Sequence, residues 1–206
     1  MIVNNHGSPM TLPTYADLEP KIRAWAAHRR ITHTDGRPLL GTTQGQYRKT
    51  LEEIGEAQLE RRKLIVSKVT RLRLLADHGL IVEGEAVLDR RLARIALEMG
   101  DVLVTLTILA AMHGVTLEAC LRQPNGAVQN WPFVDQHAAE LGESLEENSV
   151  RIPAEIGAVA RCVEDEARIV LEMSGPECLA LALAKIEGRN GAMIDGVFVK
   201  EGVTVG

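Results

Sequence analysis

The chain has 206 residues, 46% of them hydrophobic, 25% charged and only 3% aromatic, which fits one globular domain or one domain with an elaboration. So few aromatic residues among so many Ala, Leu, Ile, Val, Glu and Arg argue against an all-β fold, because sandwiches and barrels lean on β-branched and aromatic strands. A net charge of −5 gives no global attraction for a polyanion, so nucleic acid is not an expected partner.

Residues 1–12 carry Gly7 and Pro9 without periodicity and read as an arm. Thr14 with Asp17 then forms a helix start signal, and Leu18, Ile22, Trp25 and Ala26 line one face of a helix over 15–30. A loop rich in Gly, Thr and Pro follows. A long helical pattern runs from Gln44 to His78, with Gly79 as its C-cap, and another from about Glu85 to His113, stopping at Gly114. A short helix over 116–122 ends before Pro124-Asn125-Gly126. Further helices are expected over 133–147, 153–173 and 176–187, with Pro153 suited to a first helical turn. Finally, 193–199 alternates around Asp195-Gly196, the signal for a two-residue hairpin turn. The expectation is a single all-α bundle with a short C-terminal β-hairpin.

Chemistry concentrates in two acid pairs. The second helix reads Leu51-Glu52-Glu53-Ile54-Gly55-Glu56 and the third reads Leu97-Glu98-Met99-Gly100-Asp101-Val102. In each, an i,i+3 pair of carboxylates shares a helical face. Glu is abundant in helices, so one such pair alone is ordinary; two on consecutive helices, one beside the apolar run Val102 to Met112, form a constellation. If Glu53, Glu56, Glu98 and Asp101 converge, they raise one another's pKa values unless a dication neutralises them. Oxygen-only ligands favour Mg²⁺, with Mn²⁺ as the alternative, over zinc.

Glu52-Glu53-x-x-Glu56 followed by Glu98-x-x-Asp101 resembles the signature of the all-α nucleoside triphosphate pyrophosphatases, the MazG-like and dimeric dUTPase superfamily. Three further stretches point the same way. Ile22-Arg23-Ala24-Trp25 with Arg29 and Ile31 is similar to the first helix of MazG-like proteins, many of them from phages. Gly100-Asp101-Val102-Leu103 resembles their third helix, and the stretch from Lys185 through Arg189, Met193 and Asp195 to Glu201 resembles their C-terminal tail. On this resemblance, 14–122 and 176–200 match the family, and 123–175 is an insertion or a degenerate repeat.

The resemblance implies hydrolysis of a nucleoside triphosphate to the monophosphate and pyrophosphate, in house-cleaning or control of the nucleotide pool. Glu53, Glu56, Glu98 and Asp101 would hold Mg²⁺, Glu52 or Glu53 would be the catalytic base, and Lys185 and Arg189 would bind phosphate. Trp25 would stack on a base, although a lone Trp on an apolar helix face also reads as core. A homo-oligomer, dimer or tetramer, is the family habit. The alternatives are a relative of the dUTPases or phosphoribosyl-ATP pyrophosphohydrolases, or a catalytically silent helical interaction protein.

Departures from the pattern are equally legible. Glu56 and Glu98 stand 42 positions apart, where the family uses a short connection. Straight antiparallel helices would then leave the acids more than two turns out of line, so either the second helix breaks between Arg61 and Asp77 or 80–84 continues the climb. The basic run Arg61, Arg62, Lys63, Lys68, Arg71 and Arg73 in this extension reads as a solvated face, with binding of phosphate or RNA as the alternative. Within 123–175 the sequence echoes itself: Ala93–Met99 recurs as Ala167–Met173, and Glu53–Glu56 as Glu140–Glu143, with Ala139 in place of Glu52 and Gly175 in place of Asp101.

Cys120, Cys162 and Cys178 are odd in number and form no CxxC, which suits a reducing compartment and supports no disulfide framework or zinc knuckle. No start resembling a signal peptide is seen, and the run Val102 to Met112 is too short to span a bilayer, so a cytoplasmic protein with no membrane partner is expected. No His has Glu three positions before it, which argues against a ferritin-like di-iron bundle.

Overall fold

A computed structural model describes residues 11–78, 85–124, 131–187, 191–194 and 197–200, with side chains described over 11–70, 87–124 and 131–187. Seven α-helices account for most of it: α1 (Tyr15–His28), α2 (Thr43–His78), α3 (Glu85–Met112), α4 (Leu117–Leu121), α5 (Val134–Glu146), α6 (Ile152–Glu166) and α7 (Gly175–Glu187). An all-α fold is therefore what this composition produces. Two short strands, β1 (Gly191–Ile194) and β2 (Val197–Lys200), pair antiparallel with Gly191 opposite Lys200 and Ile194 opposite Val197. Asp195 and Gly196, where the turn is expected, lie outside the described residues, as do the arm over 1–10 and the expected C-cap Gly79.

The helix starts follow from local chemistry. Thr14 and Asp17 form a reciprocal capping box, with the Asp17 carboxylate accepting from the Thr14 backbone at 3.0 Å. The first free N–H groups of α4 are met from outside: Glu19, buried in α1, accepts from Leu117 N at 3.1 Å and Glu118 N at 2.9 Å. α6 ends differently from the sequence expectation of one helix to Met173. Its last turn widens into a π turn over Ala167–Leu171 and stops at Glu172, whose φ of 55° is left-handed. Met173 N then bonds back to the Ala167 carbonyl, a helix ending that usually employs glycine.

α3 is the axle. Met99, Val102, Leu103, Leu106, Leu109 and Ala110 are fully buried, and α2, α7, α6, α1 and α4 all pack on this helix. Burying each large aliphatic side chain stabilises by roughly 1.5–3 kcal/mol. Over Val87–Met112 this helix is long and apolar enough to cross a bilayer, which the shorter run Val102 to Met112 had not indicated, but 89% of its apolar window is buried inside the protein. The tightest crossing is with α7 at Gly100, where a Cβ would run into the Cys178 carbonyl and the Ala182 side chain. Glycine there lets α7 lie against α3 one residue before Asp101, and this sets the geometry of the site described next.

α2 does not break between Arg61 and Asp77; it is one helix to His78. From Glu56 to His78 it rises about 33 Å and from Glu85 to Glu98 α3 rises about 20 Å; 80–84, where the sequence offered a continued climb, lie outside the described residues. Between Leu64 and Ile95 no described side chain is buried. The described side chains in this outer part, 65–70 and 87–94, are exposed or half-buried.

Candidate metal centre

The inner part of the same pair carries the acids. Thr50, Glu53, Ile54 and Ala57 turn inward from α2, while Ile95, Glu98, Met99 and Val102 turn inward from α3. This common face draws Glu53, Glu56 and Glu98 together: one carboxylate oxygen from each lies within 4.8 Å of the other two. Glu98 is only 1% exposed and Glu53 6%, whereas Glu56 is open to solvent and marks the mouth. Asp101, 6% exposed, stands one turn beyond Glu98 and is close enough to add to the repulsion on both Glu53 and Glu98.

Three cations answer this charge. Lys49 Nζ lies 2.8 Å from Glu53 Oε1 and 2.7 Å from Glu52 Oε1, Arg94 Nε lies 2.6 Å from Glu98 Oε1, and Lys185 Nζ pairs with Asp101 Oδ2. Lys49 and Arg94 escape a search for carboxylates, yet the signal was present: Lys49 precedes Glu52 and Glu53 by three and four positions, and Arg94 precedes Glu98 by four, the spacings at which helical side chains meet. Glu52 is exposed and stays outside the inner group, tied to it through Lys49.

The compensation is incomplete. Glu98 Oε2 is buried and has no hydrogen-bond partner among the described residues. Burial pushes the Glu98 carboxyl above the usual carboxylate range; Lys185 and Arg94 pull against this, and Asp101 and Glu56 add to it. Glu53 is raised in the same way, first by burial, with Lys49 opposing and Asp101 and Glu56 reinforcing. An octahedral Mg²⁺ has oxygens at about 2.0–2.1 Å, so neighbouring ligand atoms stand roughly 3 Å apart and opposite ones about 4 Å. Carboxylate oxygens already grouped within 4.8 Å, from residues that include Glu98 with its buried Oε2, fit such a cation after a small contraction.

Of the other site candidates, Lys185 is at the acids, on the last turn of α7. Arg189 lies outside the described residues. Trp25 is half-buried between α1 and α7, and its Nε1 donates to the Ile186 carbonyl at 3.1 Å, next in sequence to Lys185. Arg61, read from sequence as part of a solvated face, is instead half-buried and ion-paired with Glu166 of α6.

A second grouping of metal-ligating side chains lies among the described residues. His137 and Glu140 of α5 and Glu155 of α6 offer one atom each within 4.8 Å of one another. His137 Nδ1 is 3.1 Å from Glu140 Oε2, and Arg151 NH2 is 2.5 Å from Glu155 Oε1. The sequence echo of the acid motif therefore has a different neighbourhood from the original. Glu140 joins His137 and Glu155, while Glu172, the echo of Glu98, lines an open groove of about 720 Å³ with Arg161, Asp165 and Arg168.

No family model matches the chain, and no curated protein or solved structure matches it.

Proposed function

We propose that this chain is a Mg²⁺-dependent nucleoside triphosphate pyrophosphohydrolase, built on the all-α pyrophosphatase bundle with its C-terminal hairpin. The observation that carries the reading is the convergence of Glu53, Glu56 and Glu98 from two helices, with Glu98 Oε2 buried and no hydrogen-bond partner for it among the described residues, and with Asp101 and Lys185 alongside. Glu53, Glu56, Glu98 and Asp101 would hold the cation, whose chemistry is to draw charge from the triphosphate oxygens and the leaving pyrophosphate.

The remaining work falls to side chains. A carboxylate takes a proton from water as the water oxygen bonds to the α-phosphorus; the bond from that phosphorus to the α,β-bridging oxygen breaks, and pyrophosphate leaves with the electron pair. Glu52 and Glu53 are the candidates for this base: Glu53 is buried beside Glu98, and Glu52 is exposed and tied to the same group through Lys49. Lys185 presents an ammonium beside the acids for a phosphate oxygen, and Arg189, four residues on, would add a planar two-pronged donor.

Incubation with each ribo- and deoxynucleoside triphosphate plus Mg²⁺, scored for pyrophosphate and monophosphate, tests this directly. Equimolar release of both from at least one nucleotide is expected. Release from none would leave the bundle as a helical interaction protein.

A further inference from the structure

Two of the cations at the metal centre stand in the less favourable order along their helices. An ion pair four residues apart stabilises a helix best with the acid first, as in Glu118–Arg122, where both side chains are open to water. Lys49–Glu53 and Arg94–Glu98 run the other way, base first. Helix stability therefore gives little reason for either pair. Both acids are buried, with side chains 8% and 1% exposed, and in each the contact falls on Oε1: Lys49 Nζ lies 2.8 Å from Glu53 Oε1, and Arg94 Nε lies 2.6 Å from Glu98 Oε1. The other oxygen of Glu98, Oε2, is the buried one with no hydrogen-bond partner among the described residues.

A buried acid calls for a nearby positive charge whether or not it ligates anything, so charge and geometry have to be told apart. A side chain that acts only through its charge repels a divalent cation, and its loss is felt alike whichever neutral residue replaces it. A side chain that acts by donating a hydrogen bond does something else: it holds one carboxylate oxygen still, which fixes the rotation of the group and leaves the second oxygen to the metal. Arg94 makes its contact through Nε. That nitrogen is as many bonds from the backbone as the amide nitrogen of a glutamine, so a neutral side chain can place a donor at the same point.

We propose that Arg94 is a positioning residue for Glu98, holding Oε1 so that Oε2 is left to bind the divalent cation, and that Lys49 serves Glu53 in the same way from the facing helix. The inference rests on the cation site proposed above, and it is tested by metal affinity rather than turnover.

The experiment is isothermal titration of Mg²⁺ into the full chain at neutral pH, with circular dichroism to show that each variant is folded. Arg94→Met keeps an unbranched stem and loses the donor, and it should bind Mg²⁺ about tenfold or more weakly than the parent. Arg94→Gln is equally neutral but keeps a donor at the place of Nε, and it should recover most of that loss. Lys49→Met, on the other helix, should weaken binding as Arg94→Met does. If Arg94→Met binds Mg²⁺ as tightly as the parent, or more tightly, the inference is overturned, because the guanidinium then acts as a charge and not as a holder. Equal weakening in Arg94→Met and Arg94→Gln overturns it too, since the donor then makes no difference. Parent-like affinity in Lys49→Met overturns the half that concerns Glu53. A parent that takes up no Mg²⁺ overturns the cation site itself, and this inference with it.

Discussion

The two buried groupings share one plan: an i,i+3 pair on one helix facing a glutamate on the next. Glu53 and Glu56 face Glu98; His137 and Glu140 face Glu155. They differ in how the charge is met. In the second, an imidazole replaces one carboxylate and hydrogen-bonds Glu140, while Arg151 takes Glu155, so the polar atoms find partners within the fold. In the first, all three ligating groups are acids, a fourth, Asp101, adds to them, and Glu98 Oε2 remains buried without a partner among the described residues. A buried polar group left unbonded costs about 1–3 kcal/mol, more when charged, and a fold carries such a cost at places where something else is meant to bind. The same backbone arrangement thus yields a closed polar joint in one place and an open, electronegative one in the other.

The sharpest way to break this comparison is to remove one acid from each grouping. Glu56→Gln or Asp101→Asn should lower pyrophosphate release by about three orders of magnitude, close to 4 kcal/mol of lost transition-state stabilisation, with the helical circular dichroism unchanged. Glu140→Gln should leave the rate where it was. Equal losses in all three variants would mean that the two groupings are not distinct in role.

Metal should discriminate as well. Mg²⁺ at about a hundred times its dissociation constant should stabilise the parent by about 2.7 kcal/mol, a rise in melting temperature of roughly 5–10 °C for a chain of this size. Asp101→Asn should lose most of that rise and Glu140→Gln none of it. Scanning calorimetry with and without Mg²⁺ makes the measurement. A rise that survives Asp101→Asn would put the cation elsewhere.

Lys185 and Arg189 sharpen the comparison from the substrate's side. If Arg189 grips phosphate, Arg189→Ala should lower kcat/KM by about one to two orders of magnitude, or roughly 1.5–3 kcal/mol for a charge-assisted contact, with stability almost unmoved. If it only complements the end of α7, the change should cost about 0.3–1 kcal/mol of stability and leave the kinetics alone. Both quantities can be read from one purified variant.

Much of the architecture was legible in the sequence because it is written locally. Apolar spacing of 3.6 residues, the Thr14–Asp17 box and the stop at Gly114 place α1 to α3 within one or two residues of where they lie. The i,i+3 acid pairs were visible for the same reason. What the sequence could not show is tertiary. Nothing local says that Glu98 is buried while Glu56 is open, since both are glutamates in amphipathic helices. The depth of Glu98 is set by the packing of whole helices on α3, and the close approach of α7 at Gly100 brings Lys185 to Asp101 across 84 positions. The π turn at Ala167–Leu171 was equally hidden, because its residues have ordinary helical propensities and a left-handed Glu172 breaks the usual preference for glycine.

The smallest effect is one of pH, and its sign separates the open grouping from a merely buried one. Glu53 and Glu98 are both held above the usual carboxylate range in the fold, chiefly by burial. The native state therefore keeps their protons to higher pH than the unfolded chain does, and their contribution to stability is greatest below the unfolded pKa and is lost as pH rises through the folded one. Glu19 and Glu164, also raised by burial, act in the same direction, and His113, lowered by burial, acts in the opposite one, so the parent's profile alone does not isolate the site. The difference between the parent and Glu98→Gln does. Without metal, the parent should lose stability relative to Glu98→Gln as pH is raised from about 4 towards 7, because only the parent must ionise Glu98 there, the other buried acids being common to both. Removing that acid strands no buried cation, since the Arg94 side chain is 59% exposed. With Mg²⁺ the order should reverse at neutral pH, because a cation binds the deprotonated carboxylates and its benefit grows as they ionise. Thermal melts of both proteins at several pH values, with Mg²⁺ and with chelator, give four curves. A parent-minus-variant difference that falls with pH in chelator and rises with pH in Mg²⁺ is the expected result, and a difference that falls alike in both conditions would make Glu98 a buried acid without a cation to wait for.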